Sequence, residues 1–338
     1  MVCESPGKLP SGWSREAIEM SYSIGIDLGG TNIAGGIVDP EGRLQVTRSV
    51  KTGAPCTPQV LTDRIADLCC DLAASANLPL NQMAWIGLGV PGSVEKDTGI
   101  LDYANNLNFR RVPLCAMLKE KLQLPVFMDN DANAAAWGEY CTGDPCESLV
   151  MVTLGTGVGG GIVEKGHILS GCNGAAGELG HFVIDLNGKP CNCGLRGCFE
   201  QYASVSALVE QTKEKMDQAP NSLLWDECKG KKENVNGRTA FDAMRRGDTA
   251  ACEVVQRYIY YLSVGVASIV NVFQPERLCL GGGISREGDV LLNPVRAYVE
   301  KYGYGRDSTR QTQITAAHLG PDVGIIGAAL LGRELQHP

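Results

Sequence analysis

The apolar positions of this chain fall into short runs interrupted by glycine pairs, and one design recurs. Residues 23–39 read Ser-Ile-Gly-Ile-Asp-Leu-Gly-Gly-Thr-Asn-Ile-Ala-Gly-Gly-Ile-Val-Asp, two apolar strands around a Gly-Gly turn, which predicts a hairpin. Residues 149–163 repeat it as strand, Gly-rich turn, strand. Residues 278–285 give a third echo, a short strand running into Gly281, Gly282 and Gly283. It follows an amphipathic stretch, 253–273, that stops before Pro275 as a helix should. Further strands are expected over 85–90, leading into Pro91-Gly92-Ser93, and over 125–129. Alanines after Asp131 start a helix there, and residues 314–336 read as a strand followed by a helix of small residues. The polar stretch 213–238 reads as a solvated surface segment or insertion.

Alone, a Gly-Gly hairpin is more often only a turn. Its recurrence raises a phosphate-binding reading, because glycines let backbone N–H groups approach an anion closely, Thr31 adds a hydroxyl, and Asp27 stands where a carboxylate could hold magnesium through water. Gly155, Gly157 and Gly160 also satisfy the dinucleotide spacing G-x-G-x-x-G, but that motif must open a helix, and here the chain continues as a strand. Asp131 has two readings. As a helix N-cap it needs no other role, and this reading comes first; the helix N-terminus also favours an ionised carboxylate there.

Composition narrows the class. The chain has 338 residues, enough for two domains, and a formal net charge of −8 that argues against a nucleic-acid surface. No apolar run approaches the ~18 residues of a membrane span. Residues 1–20 lack the apolar core of a signal peptide, so residues 1–22 are expected to be a flexible tail on a cytoplasmic protein. That compartment keeps thiols reduced, which suits 14 cysteines of which most, such as Cys69, Cys70, Cys252 and Cys279, lie in apolar segments.

Three of those cysteines belong to a denser cluster. Glu178-Leu179-Gly180-His181 is followed by Cys191-Asn192-Cys193-Gly194-Leu195-Arg196-Gly197-Cys198-Phe199-Glu200. One histidine and three cysteines are the donors of a closed, structural zinc site, with Gly194 and Gly197 suited to the turns between them. The alternative is three buried thiols and a satisfied histidine. Thiols spaced this tightly otherwise indicate disulfides, which the composition disfavours.

These residues resemble the zinc signature of the ROK family of sugar kinases, and the likeness runs from about Ser23 to the C-terminus. The resemblance implies a two-lobed α/β fold, the actin-like (ribonuclease H-like) ATPase architecture, with a zinc-bound loop in the larger lobe. It implies a smaller lobe from 23–136 plus about 322–338, and a larger lobe over 137–321 with the zinc motif at 181–198. His181, Cys191, Cys193 and Cys198 would bind a structural Zn²⁺. Asp27, Gly29, Gly30 and Thr31 would form a first phosphate loop, Gly155, Thr156 and Gly157 a second, and Gly281, Gly282 and Gly283 would lie against the nucleotide. Asn32 stands where many relatives carry lysine.

The same resemblance makes Asp131, rather than Asp129, the general base, and assigns sugar contacts to Asn106, Asn130, Asp131, Glu178, His181 and Glu200. The expected reaction is phosphorylation of glucose at its 6-hydroxyl by ATP with Mg²⁺, the lobes closing over the substrates. N-acetylmannosamine, N-acetylglucosamine, fructose and allose are alternative acceptors, and polyphosphate an alternative donor. Sugar-sensing repressors of the family carry a helix-turn-helix domain ahead of the first hairpin, and the short stretch before Ser23 has no room for one. Partners are then a sugar and ATP, with no nucleic acid or membrane, in a homo-oligomer.

Overall fold

The computed structural model describes residues 21–336, whose contacts divide into two compact units. The first takes residues 21–148, 161–177 and 321–336; the second takes 149–160 and 178–320. The tail expected over 1–22 lies outside the described residues up to residue 20, and Tyr22 already opens a strand.

In the first unit β1 (Tyr22–Leu28) and β2 (Asn32–Val38) form the hairpin the Gly-Gly turn predicted, and β3 (Leu44–Lys51) extends it antiparallel. Helix α1 (Pro58–Ser75) follows, with Thr57 accepting the Val60 N–H at 3.3 Å as N-cap and Pro58 in the first turn, where a missing N–H costs nothing. Its stripe of Leu61, Ile65, Leu68 and Leu72 faces the core. Cys69 lies on that stripe and is buried, whereas Cys70 is exposed, since consecutive helical positions point apart.

β4 (Met83–Val90) then pairs parallel with the free edge of β1 and is buried at every position, as a parallel strand covered on both faces must be. A small antiparallel sheet of β5 (Ser93–Glu95), β6 (Ile100–Ala104) and β7 (Phe109–Val112) leads through α2 (Leu114–Leu122) to β8 (Val126–Asn130). β8 completes the main sheet in the order β3-β2-β1-β4-β8 and runs into α3 (Asp131–Thr142).

The C-terminal helix Val323–Leu330 packs on β1, β4 and α3. Its backbone lies directly on the sheet: a Cβ at Gly25 would sit 1.9 Å from the Ile325 carbonyl oxygen, and one at Gly87 would sit 1.7 Å from that of Ala328. The indole N–H groups of Trp85 and Trp137 donate to the Ala329 and Leu330 carbonyls at 2.7 Å, pairing carbonyls that a helix end leaves open. Because α3 stays packed on this helix over its whole length, the first unit continues to residue 148, beyond the boundary at 136 expected from sequence.

In the second unit β9 (Ser148–Leu154) turns at Gly155–Gly157 into β10 (Val158–Glu164), which carries the chain back to the first unit and pairs there with β11 (His167–Ile168). β12 (Arg277–Gly281) lies parallel to β9, and β13 (Gln313–Ala316) parallel to β12. A glycine-turn hairpin followed by parallel neighbours is the plan of both units. The helices α4 (Glu200–Ala203) and α5 (Val205–Gln218) pack against the long helix Thr249–Phe273. That helix is capped by Asp248, which accepts the Ala251 N–H at 2.7 Å, and ends at Gln274, in the left-handed conformation, just before Pro275.

The stretch 213–238 differs from expectation. It lies at the surface, but it is structured and anchored: α5 continues to Gln218, the short helix Leu224–Glu227 follows, and Met216, Leu224, Cys228 and Val235 are buried. Its apolar residues are sparse, and each is spent as an anchor, so average polarity hides them. Among the described residues no helix is long and apolar enough to cross a membrane.

Candidate active site

In the first unit, four loops supply the groups that sequence singled out. The Asp27–Thr31 turn is clasped from outside: Thr52, fully buried, donates its hydroxyl to the Gly29 carbonyl at 2.7 Å and its N–H to the Thr31 carbonyl at 2.9 Å. The Arg64 guanidinium on α1 donates in turn to the Thr52 carbonyl. The Asp27 side chain has no hydrogen bond or ion pair among the described residues, and burial pushes its carboxyl above the usual carboxylate range. A cation beside it would reverse that shift. Gly30 lies against Asn106, whose Cβ would be 3.3 Å from a Cβ added at the glycine, so the sugar-type asparagine and the first phosphate-type loop are neighbours.

The start of α3 corrects one reading. The N-cap is Asn130, whose Oδ1 accepts the N–H groups of Ala132 and Asn133 at 2.8 and 3.3 Å, and Asp131 is the first helical residue. Asparagine and aspartate cap equally well, so adjacent candidates in Asn-Asp cannot be separated by preference alone. The Asn130 amide also donates to the Gly92 carbonyl at 3.1 Å, which ties the cap to the Pro91-Gly92-Ser93 turn and leaves one amide N–H for another partner.

Asp131 is exposed and accepts the Ala132 N–H at 2.8 Å. Asp129 is its opposite. It is 2 % exposed, accepts the Asn130 N–H and the Asn133 amide at 2.7 and 2.9 Å, and pairs with Lys96 at 2.5 Å. Of the two carboxylates flanking the cap, only Asp131 can meet a ligand.

In the second unit, the donors of the cysteine-rich loop converge. The Cys191 sulfur lies 3.6 Å from His181 Nδ1, the sulfurs of Cys193 and Cys198 are 3.5 Å apart, and all four donor atoms fall within 4.8 Å of one another. Tetrahedral bonds of about 2.0–2.3 Å place neighbouring ligands roughly 3.3–3.8 Å apart, so the group can hold a metal ion. Gly197 has φ +74°, and a Cβ there would meet the Asp185 carbonyl oxygen at 1.6 Å, which is the turn the motif needed. With Nδ1 toward the sulfurs, His181 presents Nε2 to the other side, 4.0 Å from the Glu178 carboxylate.

Glu200 is used differently from Glu178. Its Oε2 accepts the Val158 N–H at 3.0 Å, and a Cβ at Gly157 would stand 2.3 Å from the same oxygen. The glycine turn of β9–β10 is thus held by Glu200 on one side, while the Gly155 carbonyl accepts the Val205 N–H at 2.9 Å on the other. Val205 and Gly283 line a cavity of about 440 Å³ with Arg238, Arg245, Arg286 and Glu287. Gly283 thus lines this cavity directly, and Gly155 is tied to it through its hydrogen bond with Val205.

Sequence reasoning missed Lys96, Thr52 and the three arginines of that cavity. Only Arg286, next to the Gly281–Ser285 echo, carried a local signal.

An α/β protein with two glycine-turn hairpins, each followed by parallel strands, has the layout of the actin-like ATPases. The chain belongs to the ROK family, whose sequence pattern it matches over residues 23–334. It is 36% identical over 319 residues to a glucokinase of Halalkalibacterium halodurans, covering 94% of this chain and 96% of that protein. A glucokinase of Streptomyces coelicolor is 35% identical over 319 residues, 93% of this chain and 98% of the relative. Among solved structures, a ROK family glucokinase from Streptomyces griseus in complex with glucose and AMPPNP matches with a TM-score of 0.80 and 34% identity, covering 93% of this chain and all of that one.

Proposed function

We propose that this protein is an ATP-dependent glucokinase that transfers a phosphoryl group to the 6-hydroxyl of glucose. The observation that carries the reading is the exposed Asp131 carboxylate at the start of α3, beside a buried, fully engaged Asp129, in a chain similar over nearly its whole length to glucokinases. Asp131 takes the proton of the attacking hydroxyl, which must approach within about 3 Å. We assign sugar hydroxyls to Asn106 and Asn130 in the first unit and to Glu178, His181 and Glu200 in the second. The spare amide N–H of Asn130 and the outward Nε2 of His181 suit donors to sugar oxygens. Glu200 has one oxygen already spent on Val158, leaving Oε1 for a hydroxyl.

For the donor nucleotide, the Asp27–Thr31 and Gly155–Gly157 turns would receive phosphates, and the cavity bordered by Gly283 and three arginines would receive the nucleoside end. Asp27, beside the Gly-Gly turn with a carboxyl that burial destabilises as an anion, is the carboxylate suited to Mg²⁺. His181, Cys191, Cys193 and Cys198 would bind Zn²⁺ as a structural ion, since all four donors are protein side chains. We place the enzyme in the cytoplasm, where its thiols stay reduced.

The test is ADP release with Mg-ATP across glucose, mannose, fructose, allose, N-acetylglucosamine and N-acetylmannosamine. Turnover is expected to be strongest on glucose, because carboxylates arranged to accept hydroxyl protons are left unpaired by other epimers. Preference for an N-acetyl sugar would keep the chemistry and move the substrate; no turnover with any sugar would end the kinase reading.

The nucleotide assignment has its own check. Thr52→Val keeps the shape of the side chain and removes the hydroxyl that holds the Gly29 carbonyl. Losing one hydrogen bond of about 1 kcal/mol should raise the KM for ATP roughly fivefold with kcat little changed. An unchanged KM would detach Thr52, and the loop it clasps, from nucleotide binding.

A further inference from the structure

One buried group of charges in the first unit has no part in the reading above. Lys96, in the turn after β5, reaches inward so that its ammonium lies 2.5 Å from Asp129 Oδ2 on β8 and 3.2 and 3.1 Å from the two oxygens of Glu334 in the C-terminal 3₁₀ turn. Their side chains are 28, 4 and 17 % exposed, so this is no surface pair. Glu334 also accepts the Ile168 N–H at 3.0 Å. Three distant parts of the chain thus converge on one cation.

An exposed ion pair stabilises by about 0–1 kcal/mol and could be dispensed with. A buried one is different: apolar replacement often costs nothing, whereas removing one partner strands the other in low dielectric. Its presence therefore asks for a role other than stability. The role is visible at Asp129, where the oxygen not facing Lys96 accepts both the Asn130 N–H and the Asn133 amide. Those two bonds fix the cap residue and the first turn of α3, between which Asp131 projects.

We propose that Lys96, bridging Asp129 and Glu334, is a positioning residue that fixes the cap turn presenting Asp131 to the sugar hydroxyl. The proposal rests on the kinase reading, since it needs Asp131 to be the base. A misplacement of 1 Å far from the chemistry can cost up to ~10² in rate, so a support one residue away has leverage. Among the described residues, the groups facing Asp129 are the Lys96 cation, Glu334, Asn133 and the Asn130 backbone. Burial opposes the Lys96 charge, but the two carboxylates outweigh it and raise the ammonium above its usual range, while burial pushes the Glu334 carboxyl up.

The experiment compares wild type, Lys96→Arg, Lys96→Met and the double variant Lys96→Met with Asp129→Asn, with glucose and Mg-ATP, as kcat and KM measured on folded protein. Lys96→Met is expected to lose about tenfold or more in kcat with the KM for ATP unchanged. Lys96→Arg should retain most activity. In the double variant no carboxylate is left on β8 to need a cation, and the amide oxygen introduced by Asp129→Asn can still accept both N–H groups, so kcat should return toward wild type.

A merely structural role would lower the yield or thermal midpoint of Lys96→Met while leaving the kcat of the folded fraction at the wild-type value, and that result would overturn the proposal. So would a folded double variant as slow as Lys96→Met, and should Lys96→Met fail to fold, the double variant alone decides. Wild type without turnover would overturn the kinase reading and this proposal together. An active wild type with a folded, fully active Lys96→Met overturns this proposal alone.

Discussion

Asp131→Asn and Asp131→Ala are expected to remove at least about a hundredfold of kcat for glucose phosphorylation, the low end of what a positioned general base contributes. Glucose binding, read by calorimetry, should stay measurable, most nearly unchanged in Asp131→Asn, where the side chain keeps its shape and a hydrogen-bonding oxygen. Stability cannot explain such a loss. The cap belongs to Asn130, so Asp131 gives up only its favourable interaction with the helix N-terminus, roughly 0.3–1 kcal/mol, and a small fall in thermal midpoint. The same substitution at the N-cap would instead have cost about 0.5–2 kcal/mol. Placing the cap one residue earlier therefore separates the catalytic effect from the structural one. Near-normal turnover in Asp131→Ala, with the protein folded, would place the base elsewhere.

How much of this was legible depended on whether the signal was local. The hairpin at 23–39, the glycine echo at 149–163 and the helix ending before Pro275 were readable because glycine and proline dictate backbone geometry at their own positions. The convergence of His181 with Cys191, Cys193 and Cys198 was likewise carried by donor type and spacing in one stretch. Choosing between Asn130 and Asp131 as cap was not, since both residues suit it and the choice is made by where β8 ends.

Nothing local marked Lys96 either. Lysine after a short strand normally reads as a solvated charge, and its burial comes from Asp129 and Glu334, which the fold brings in from far along the chain. Thr52 and the cavity arginines escaped for the same reason. The segment 213–238 misled in the opposite direction, because four scattered apolar side chains suffice to anchor it and hardly change its composition.

Cys193→Ser is expected to release the zinc and to lower sugar affinity more than nucleotide affinity. The loop is not held by metal alone. Phe182 stacks on Phe199 at 5.2 Å, the Ile184 N–H donates to the Gly197 carbonyl at 2.9 Å, and the Tyr202 hydroxyl accepts the Lys189 N–H at 2.9 Å. These anchor the base of the loop. Its tip is less secured: residues 192–196 are exposed, and the Cys191 N–H to Leu195 carbonyl bond at 2.8 Å closes little more than a turn. Backbone hydrogen bonds contribute about 1 kcal/mol each, against apparent binding free energies of about 10–16 kcal/mol for structural zinc in small peptides, so a zinc ion bound there would dominate the order of the tip. His181 takes its orientation from Nδ1 facing the sulfurs, and losing that contact would let Nε2 swing away from the sugar. Soluble folded protein should fall together with zinc content, measured by elemental analysis at about one ion per chain in the wild type and near none in the variant. A Cys193→Ser protein that is zinc-free, folded and fully active on glucose would take away both the structural role of the metal and the part assigned to His181.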